Sequence, residues 1–155
     1  MEKKMIKREV KAVYDLLLGA KMNSMTGAEK LSLVRILRAM KPVAVEFADA
    51  SKDIEQKMKP EGYDERLRKA IAYEQKKQHP EITVEQPEMT DEEYHAFIQE
   101  LQEYRQLVGK AIDELGGEEV TLDAEPLTEG AMEHLLQDNE WSTEQVMNID
   151  DVLSV

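Results

Sequence analysis

Apolar side chains in the first 58 residues recur at helical spacing and predict two helices. Within residues 5–21 they follow one another at intervals of three or four positions, while lysines occupy the opposite face. Thr26 and Glu29 then form a predicted capping box, in which each side chain bonds to the backbone N–H of the other residue. We expect a second, longer helix to begin at this box and to end at about Met58.

The second helix carries an apolar seam, a row of positions spaced alternately by four and three residues, as in a coiled coil. The seam consists of Leu33, Leu37, Met40, Ala44, Phe47, Ser51, Ile54 and Met58. It continues in phase across Pro42, which predicts a kink inside one helix rather than a helix end. The favoured interpretation is that the seam packs against the first helix in an antiparallel hairpin. Dimerisation along the seam is the alternative.

A third helix is predicted after the stop formed by Pro60 and Gly62. Asp64 is its predicted N-terminal cap, and the helix ends near Lys77. It has few large apolar residues, so we expect it to lie on the surface.

A fourth helix is predicted over residues 90–115, where the apolar pattern is the strongest in the chain. Thr90 and Glu93 form a second capping box at its start. Gly116 and Gly117 follow it, and we expect them to end the helix in a left-handed conformation.

Two segments alternate between apolar and polar side chains and predict short β-strands. They are residues 81–85 and 119–123, one on each side of the fourth helix, and both are rich in β-branched residues. We expect them to pair as a two-stranded ribbon packed against the helices, because so small a ribbon is unstable alone.

The last segment, residues 126–155, is predicted to form an arm with two short helical stretches. Thr128 caps the first, and a third capping box at Ser142 and Gln145 opens the second. Trp141 lies between them, where a lone Trp is more often an anchor to the body of the protein than a contact for a ligand.

The predicted fold class is therefore mainly α. It comprises a helical hairpin with a long Pro-kinked second helix, one further long helix, a minor two-stranded β-ribbon and a C-terminal acidic arm. Residues 1–125 form the predicted helical body with its ribbon, and residues 126–155 form the arm. The predicted core residues are Val13, Leu17, Leu33, Leu37, Phe47, Ile54, Phe97, Leu101, Val108 and Ile112.

Charge changes this picture because it is divided along the chain. The 155 residues carry 20 basic and 33 acidic side chains, a net charge of −13. Residues 1–80 have a net charge of +6 and residues 81–155 a net charge of −19, with 13 acidic and no basic side chains after Lys110. Such a chain would repel nucleic-acid phosphates from its second half, so direct nucleic-acid binding is not expected.

Candidate chemistry is sparse in this sequence. There is no cysteine and no glycine-rich phosphate-binding motif. Glu92 and His95 have the spacing of one half of a di-iron site, but a second pair is missing, so His95 is interpreted as a surface side chain. We therefore expect no enzyme activity, no cofactor and no metal. The charged N-terminus and the short apolar stretches predict neither a signal peptide nor a membrane span.

Both ends of the chain carry a family resemblance. The opening Glu9-Val10-Lys11-Ala12-Val13-Tyr14-Asp15-Leu16-Leu17 precedes a helix rich in Leu, Val and Lys. Towards the other end, Glu119-Val120-Thr121-Leu122-Asp123 and Ala124-Glu125-Pro126-Leu127 precede an acidic helical tail. This order resembles small uncharacterised proteins of tailed bacteriophages and prophages. The resemblance implies a viral or mobile-element origin. Because neither a signal peptide nor a membrane span is predicted, the expected location is the cytoplasm of the bacterial host, with association with the virion as the alternative.

The expected function is a non-enzymatic protein–protein interaction, with a protein partner or with a second copy, in an assembly or accessory role. The alternative is a host-directed inhibitor whose acidic half imitates nucleic acid; its complex would be highly salt-sensitive. The candidate interaction residues are Trp141, Val146, Ile149, Asp150, Asp151, Val152 and Leu153.

Overall fold

A computed structural model describes residues 2–81 and 89–154, and it confirms a mainly helical fold with a two-stranded antiparallel ribbon. The elements in chain order are β1 (Glu2–Ile6), α1 (Lys7–Leu18), α2 (Gly27–Met58), α3 (Tyr63–Gln78), α4 (Asp91–Gly116), β2 (Glu119–Asp123), α5 (Glu129–Asp138) and α6 (Thr143–Leu153).

The start of α2 is held by the predicted capping box. The backbone N–H of Thr26 donates to Glu29 Oε1 at 2.9 Å, and the backbone N–H of Glu29 donates to Thr26 Oγ1 at 3.2 Å. Pro42 lies inside this helix, which ends at Met58 as predicted. The phase of the seam was thus a better guide to helix length than the presence of a proline.

The ribbon forms, but with a different strand from the predicted one. β2 pairs with β1, with Lys3 opposite Leu122 and Met5 opposite Val120. The predicted partner included residues 82–84, which lie outside the described residues. The strand β1 was missed because Ile6 is in phase with the apolar stripe of α1, and periodicity alone does not separate a five-residue strand from the first turn of a helix.

The chain divides into two compact units, Met1–Lys52 with Asp113–Val155, and Asp53–Ile112. These boundaries differ from the predicted one at residue 125. The core of the first unit combines side chains from both of its segments. They include Met5, Val10, Val13, Leu17, Leu33, Ile36, Met40, Leu122, Leu127, Ala131, Leu135, Ile149 and Leu153. The first part of the seam is therefore buried in the core of the first unit. The main element contacts of α1 are with β1 and α6, so the predicted antiparallel hairpin of the first two helices stays a prediction.

The second unit has a smaller core, formed by Ala70, Met89, Phe97 and Leu101 with tyrosines packed around it. The start of α3 differs from the prediction. Its N-cap is Gly62, at φ +69°, a left-handed conformation that favours glycine. Asp64 lies in the first turn instead, where it pairs with Lys59 Nζ at 2.8 Å.

The end of α4 also differs from the prediction. Within the described residues, positive φ occurs only at Gly62, so Gly116 and Gly117 do not form a left-handed cap. Gly116 is the last residue of the helix, and a Cβ there would lie 3.0 Å from Arg8 Cβ and 3.3 Å from Phe47 Cζ. Close packing, not backbone conformation, is therefore what distinguishes this glycine, because a Cβ would require Arg8 or Phe47 to shift by a few tenths of an ångström.

Most of the predicted core is buried. Val13, Leu17, Leu33, Phe97, Leu101 and Val108 are buried, whereas Leu37, Phe47, Ile54 and Ile112 are only half-buried.

Candidate interaction surface

The helix α6 begins at the third predicted capping box. Gln145 donates its backbone N–H to Ser142 Oγ at 3.2 Å, and Ser142 donates its backbone N–H to Gln145 Oε1 at 2.9 Å. The helix continues to Leu153, so the second predicted helical stretch of residues 126–155 forms three helical turns. Its buried apolar positions fall on one side, and its acidic positions fall on the exposed side.

Three of the seven candidate interaction residues lie in the core of the first unit. Ile149 and Leu153 are fully buried and Val152 is nearly so. Because these side chains hold α6 in place, they are not available to a partner in this fold. Trp141 and Val146 are half-buried, and Trp141 packs against the same core.

The opposite side of α6 is exposed. The α6 outer face consists of Glu144, Met147 and Asp151, and Asp150 lies at its edge. Met147 is 61% exposed, although Met usually lies in a core. The sequence prediction missed Met147. The signal was available in the spacing, because Met147 is out of phase with the buried positions 149, 152 and 153.

The C-terminal end of α5 is joined by hydrogen bonds to the loop between α1 and α2. The side chain of Asn139 accepts from the backbone N–H of Lys21 and donates to its carbonyl oxygen, both at 2.8 Å. The adjacent Asp138 accepts from the backbone N–H of Ser24 at 2.7 Å and from the Ser24 hydroxyl at 2.5 Å. These hydrogen bonds from Ser24 lower the pKa of Asp138.

A second contact joins α5 to the start of α2. His134 Nδ1 lies 3.0 Å from Glu29 Oε1, the same oxygen that caps α2. The pKa of Glu29 is lowered, first by the hydrogen bond from the Thr26 backbone N–H and also by His134. Together with the Asp138 contacts, this pair fixes α5 on the loop and gives the following helix α6 a defined position.

A small cleft of about 20 Å³ lies beside the ribbon in the first unit. Its lining includes Lys3, Leu122, Pro126 and Val152, and the Lys3 Nζ donates to the Ser154 carbonyl oxygen at 3.1 Å. This volume holds about one water molecule, whereas sites for organic ligands are usually ~300 Å³ or more. The cleft therefore does not suit a small-molecule substrate.

The second unit is linked across α3 and α4 by two tyrosines. The rings of Tyr73 and Tyr94 stack with centroids 4.2 Å apart. Each hydroxyl donates to a carboxylate on the opposite helix, Tyr73 to Asp91 and Tyr94 to Glu74. These carboxylate contacts are the largest cause of the raised pKa of each tyrosine. The arrangement is a pair of reciprocal helix–helix contacts.

Groups suited to metals or membranes are not found in the described part of the chain. Over residues 2–81 and 89–154, no three His, Asp or Glu side chains are grouped to hold a metal ion. The helices of these same ranges are too short or too polar to cross a membrane. His95, the histidine of the half di-iron spacing, is exposed.

Comparison with protein-family models, with curated proteins and with solved structures finds no match to this chain.

Proposed function

We propose that this protein is a non-enzymatic protein–protein interaction protein with an assembly or accessory role, and that the α6 outer face makes the contact. The observation that carries this proposal is the exposed Met147 between Glu144 and Asp151 on a helix whose other side is locked into the core. Contact residues on a rigid helix lose little conformational entropy when they bind.

The partial burial of Trp141 also supports the proposal that this part of the molecule contacts a partner. Trp141 packs against the core of the first unit with one part of its ring system and remains half-buried, directly before the cap of α6. Large aromatic side chains in such positions are frequent in protein interfaces. The proposed contact would thus combine two apolar side chains with a rim of carboxylates.

Surface substitutions test this proposal better than deletion of residues 126–155. The deletion would remove Leu135, Ile149 and Leu153 from the core and would unfold the first unit. Instead, Met147→Ser with Asp151→Asn changes only exposed side chains. We expect proteins captured from producing cells by the wild type to be lost or strongly reduced with this variant.

A matched control is available on α1. Leu18 is 60% exposed and Glu9 is exposed, so Leu18→Ser with Glu9→Gln makes similar chemical changes at exposed positions of a different helix. We expect this control to capture the same proteins as the wild type. If both variants capture the same proteins with equal recovery, the α6 outer face is not the contact surface.

The second candidate function is a host-directed inhibitor that imitates nucleic acid. It is favoured by the placement of acidic side chains on ordered elements, among them Glu129 and Glu133 on α5 and Glu144 and Asp151 on α6. A mimic complex would weaken steeply with salt, whereas an interface built on Met147 and Trp141 would weaken less. Binding to the captured protein at low and high salt distinguishes the two functions.

Origin and location are proposals of the same kind. The sequence resemblance suggests a phage or prophage protein that acts in the cytoplasm of a bacterial host or in the virion. The genes next to its own would test this origin, because phage genes are grouped by role.

A further inference from the structure

An exposed stripe on α2 is not used by the core of the first unit. The α2 outer face is defined by Leu31, Arg35, Arg38 and Val45, which fall within an arc of about 80° at 100° per residue, with the exposed Pro42 in the same arc. All four side chains are exposed, Leu31 by 57% and Val45 by 44%. The face therefore presents two arginines between two apolar residues.

The two arginines contrast with basic residues nearer the N-terminus. Lys7 Nζ pairs with Glu118 at 2.6 Å, and Lys3 Nζ donates to a backbone carbonyl. Arg35 and Arg38 have no ion-pair partner among the residues that the structure describes. Their guanidinium groups are thus available to carboxylates from outside the molecule.

A surface of complementary chemistry is present in the same unit. The α6 outer face has an exposed apolar residue, Met147, between the carboxylates of Glu144 and Asp151. The segment that contains it, residues 113–155, has 13 acidic and no basic side chains, whereas residues 1–52 have 11 basic and 6 acidic ones. Charge is therefore segregated between the two segments of one compact unit.

The dimensions of the two faces also match. The stripe from Leu31 to Val45 is about 21 Å long and α6 is about 16 Å long, at 1.5 Å per residue. One α6 can therefore lie along the stripe. With Met147 level with the aliphatic stems of Arg35 and Arg38, one carboxylate lies on each side, about 4.5 and 6 Å along the axis and within reach of the guanidinium groups. Arginine forms bidentate contacts with carboxylates, which adds geometric specificity.

We propose that the α2 outer face binds the α6 outer face of a second copy of this chain, so that the protein self-associates through a heterologous contact. This inference rests on the proposed function of α6 and names its partner. A heterologous contact joins two different surfaces, so copies can form a closed ring or an open chain.

Charge reversal tests the pairing with the full chain. One variant reverses the basic face with Arg35→Glu and Arg38→Glu, and the other reverses the acidic face with Glu144→Lys and Asp151→Lys. In sedimentation velocity at about 0.15 M salt, we expect the wild type to associate with rising concentration. Each variant alone should lose about tenfold or more in association constant.

An equimolar mixture of the two variants should restore association, because each reversed face then meets its opposite charge. Attraction between the net charges of the two variants cannot explain restored association, since both variants remain strongly acidic overall. As a control, Arg105→Glu with Lys110→Glu makes the same charge change at exposed positions of α4. We expect it to associate like the wild type, and all variants should keep wild-type circular dichroism and melting.

Three results would overturn the inference: a wild type that stays monomeric, reversals that leave association unchanged, or a mixture that fails to restore it. The first result also separates this inference from the proposed function. If the chain is monomeric but Met147→Ser with Asp151→Asn loses a different captured protein, α6 binds a partner that is not a second copy.

Discussion

The missing side chain at Gly116 shows how one residue sets the closeness of packing in the first unit. The Arg8 Cβ and the Phe47 ring occupy the space that a Cβ would need. Gly109, seven residues earlier in the same helix, has open space around the corresponding position. A comparison of alanine substitutions at these two glycines therefore separates the effect of packing on stability from the effect of helix propensity.

Alanine at these two positions should have opposite effects on the free energy of unfolding. Gly109→Ala should stabilise the protein by about 0.5–1 kcal/mol, because alanine loses less backbone entropy in a helix. Gly116→Ala gains the same propensity but forces Arg8 or Phe47 to move, and such overpacking costs about 1–3 kcal/mol. We expect a net loss at Gly116, measured by urea denaturation. Equal stabilisation by both variants would contradict the packing role of Gly116.

At the scale of elements, α3 and α4 are joined by reciprocal contacts between aromatic hydroxyls and carboxylates. Tyr73 on α3 donates to Asp91 on α4, and Tyr94 on α4 donates to Glu74 on α3. An ion pair also joins the two helices, because Arg66 on α3 donates to both carboxylate oxygens of Glu100 on α4, at 2.6 and 3.0 Å. The few large apolar residues of α3 are thus supplemented by directional polar contacts.

The tyrosine contacts predict a loss of stability at alkaline pH. The pKa of both tyrosines is raised in the fold, so the neutral phenol is favoured and its contribution is complete below the unfolded value of about 10. The contribution is lost as the pH rises through the raised pKa values. Urea denaturation over this range should show the loss in the wild type and a smaller one in Tyr73→Phe with Tyr94→Phe. Parallel alkaline curves for the two proteins would exclude these contacts as the cause.

At the scale of the whole molecule, contacts between residues far apart in sequence close the first unit. Glu29 contacts His134, and Ser24 contacts Asp138, each over more than 100 positions. The ribbon adds a third such link between β1 and β2. These links tie the two segments of the unit together at both the loop and the sheet.

The carboxylates in these links predict a loss of stability in acid. The pKa values of Glu29 and Asp138 are lowered in the fold, so their contribution is complete above the unfolded values of about 4 and is lost as the pH falls through the lowered ones. Glu29→Gln with Asp138→Asn keeps hydrogen-bond acceptors that do not titrate. Between about pH 6 and pH 3, the unfolding free energy of this variant should fall less than that of the wild type. This range includes the unfolded pKa values of about 4 for the two carboxyl groups. An identical acid slope in both proteins would show that other carboxylates are responsible.

The same distinction between near and distant contacts explains which predictions were confirmed. The helices and their caps at Thr26, Thr90 and Ser142 depend on residues three or four positions apart, which the sequence displays directly. The partner of β2 and the burial of Leu127 and Ile149 depend on distant segments, which periodicity does not identify. The burial of Val152 and Leu153, two of the candidate interaction residues, was likewise not predicted, because it follows from tertiary packing.

The discontinuity of the first unit has a consequence for synthesis on the ribosome. Residues 1–52 leave the ribosome before residues 53–112, and their core partners on α5 and α6 follow later still. Residues 53–112 are contiguous and can complete their own packing earlier. Until α5 and α6 emerge, Val10, Leu33 and Met40 therefore lack the core contacts that those helices supply. The apolar surface exposed during this interval makes the nascent chain prone to aggregation.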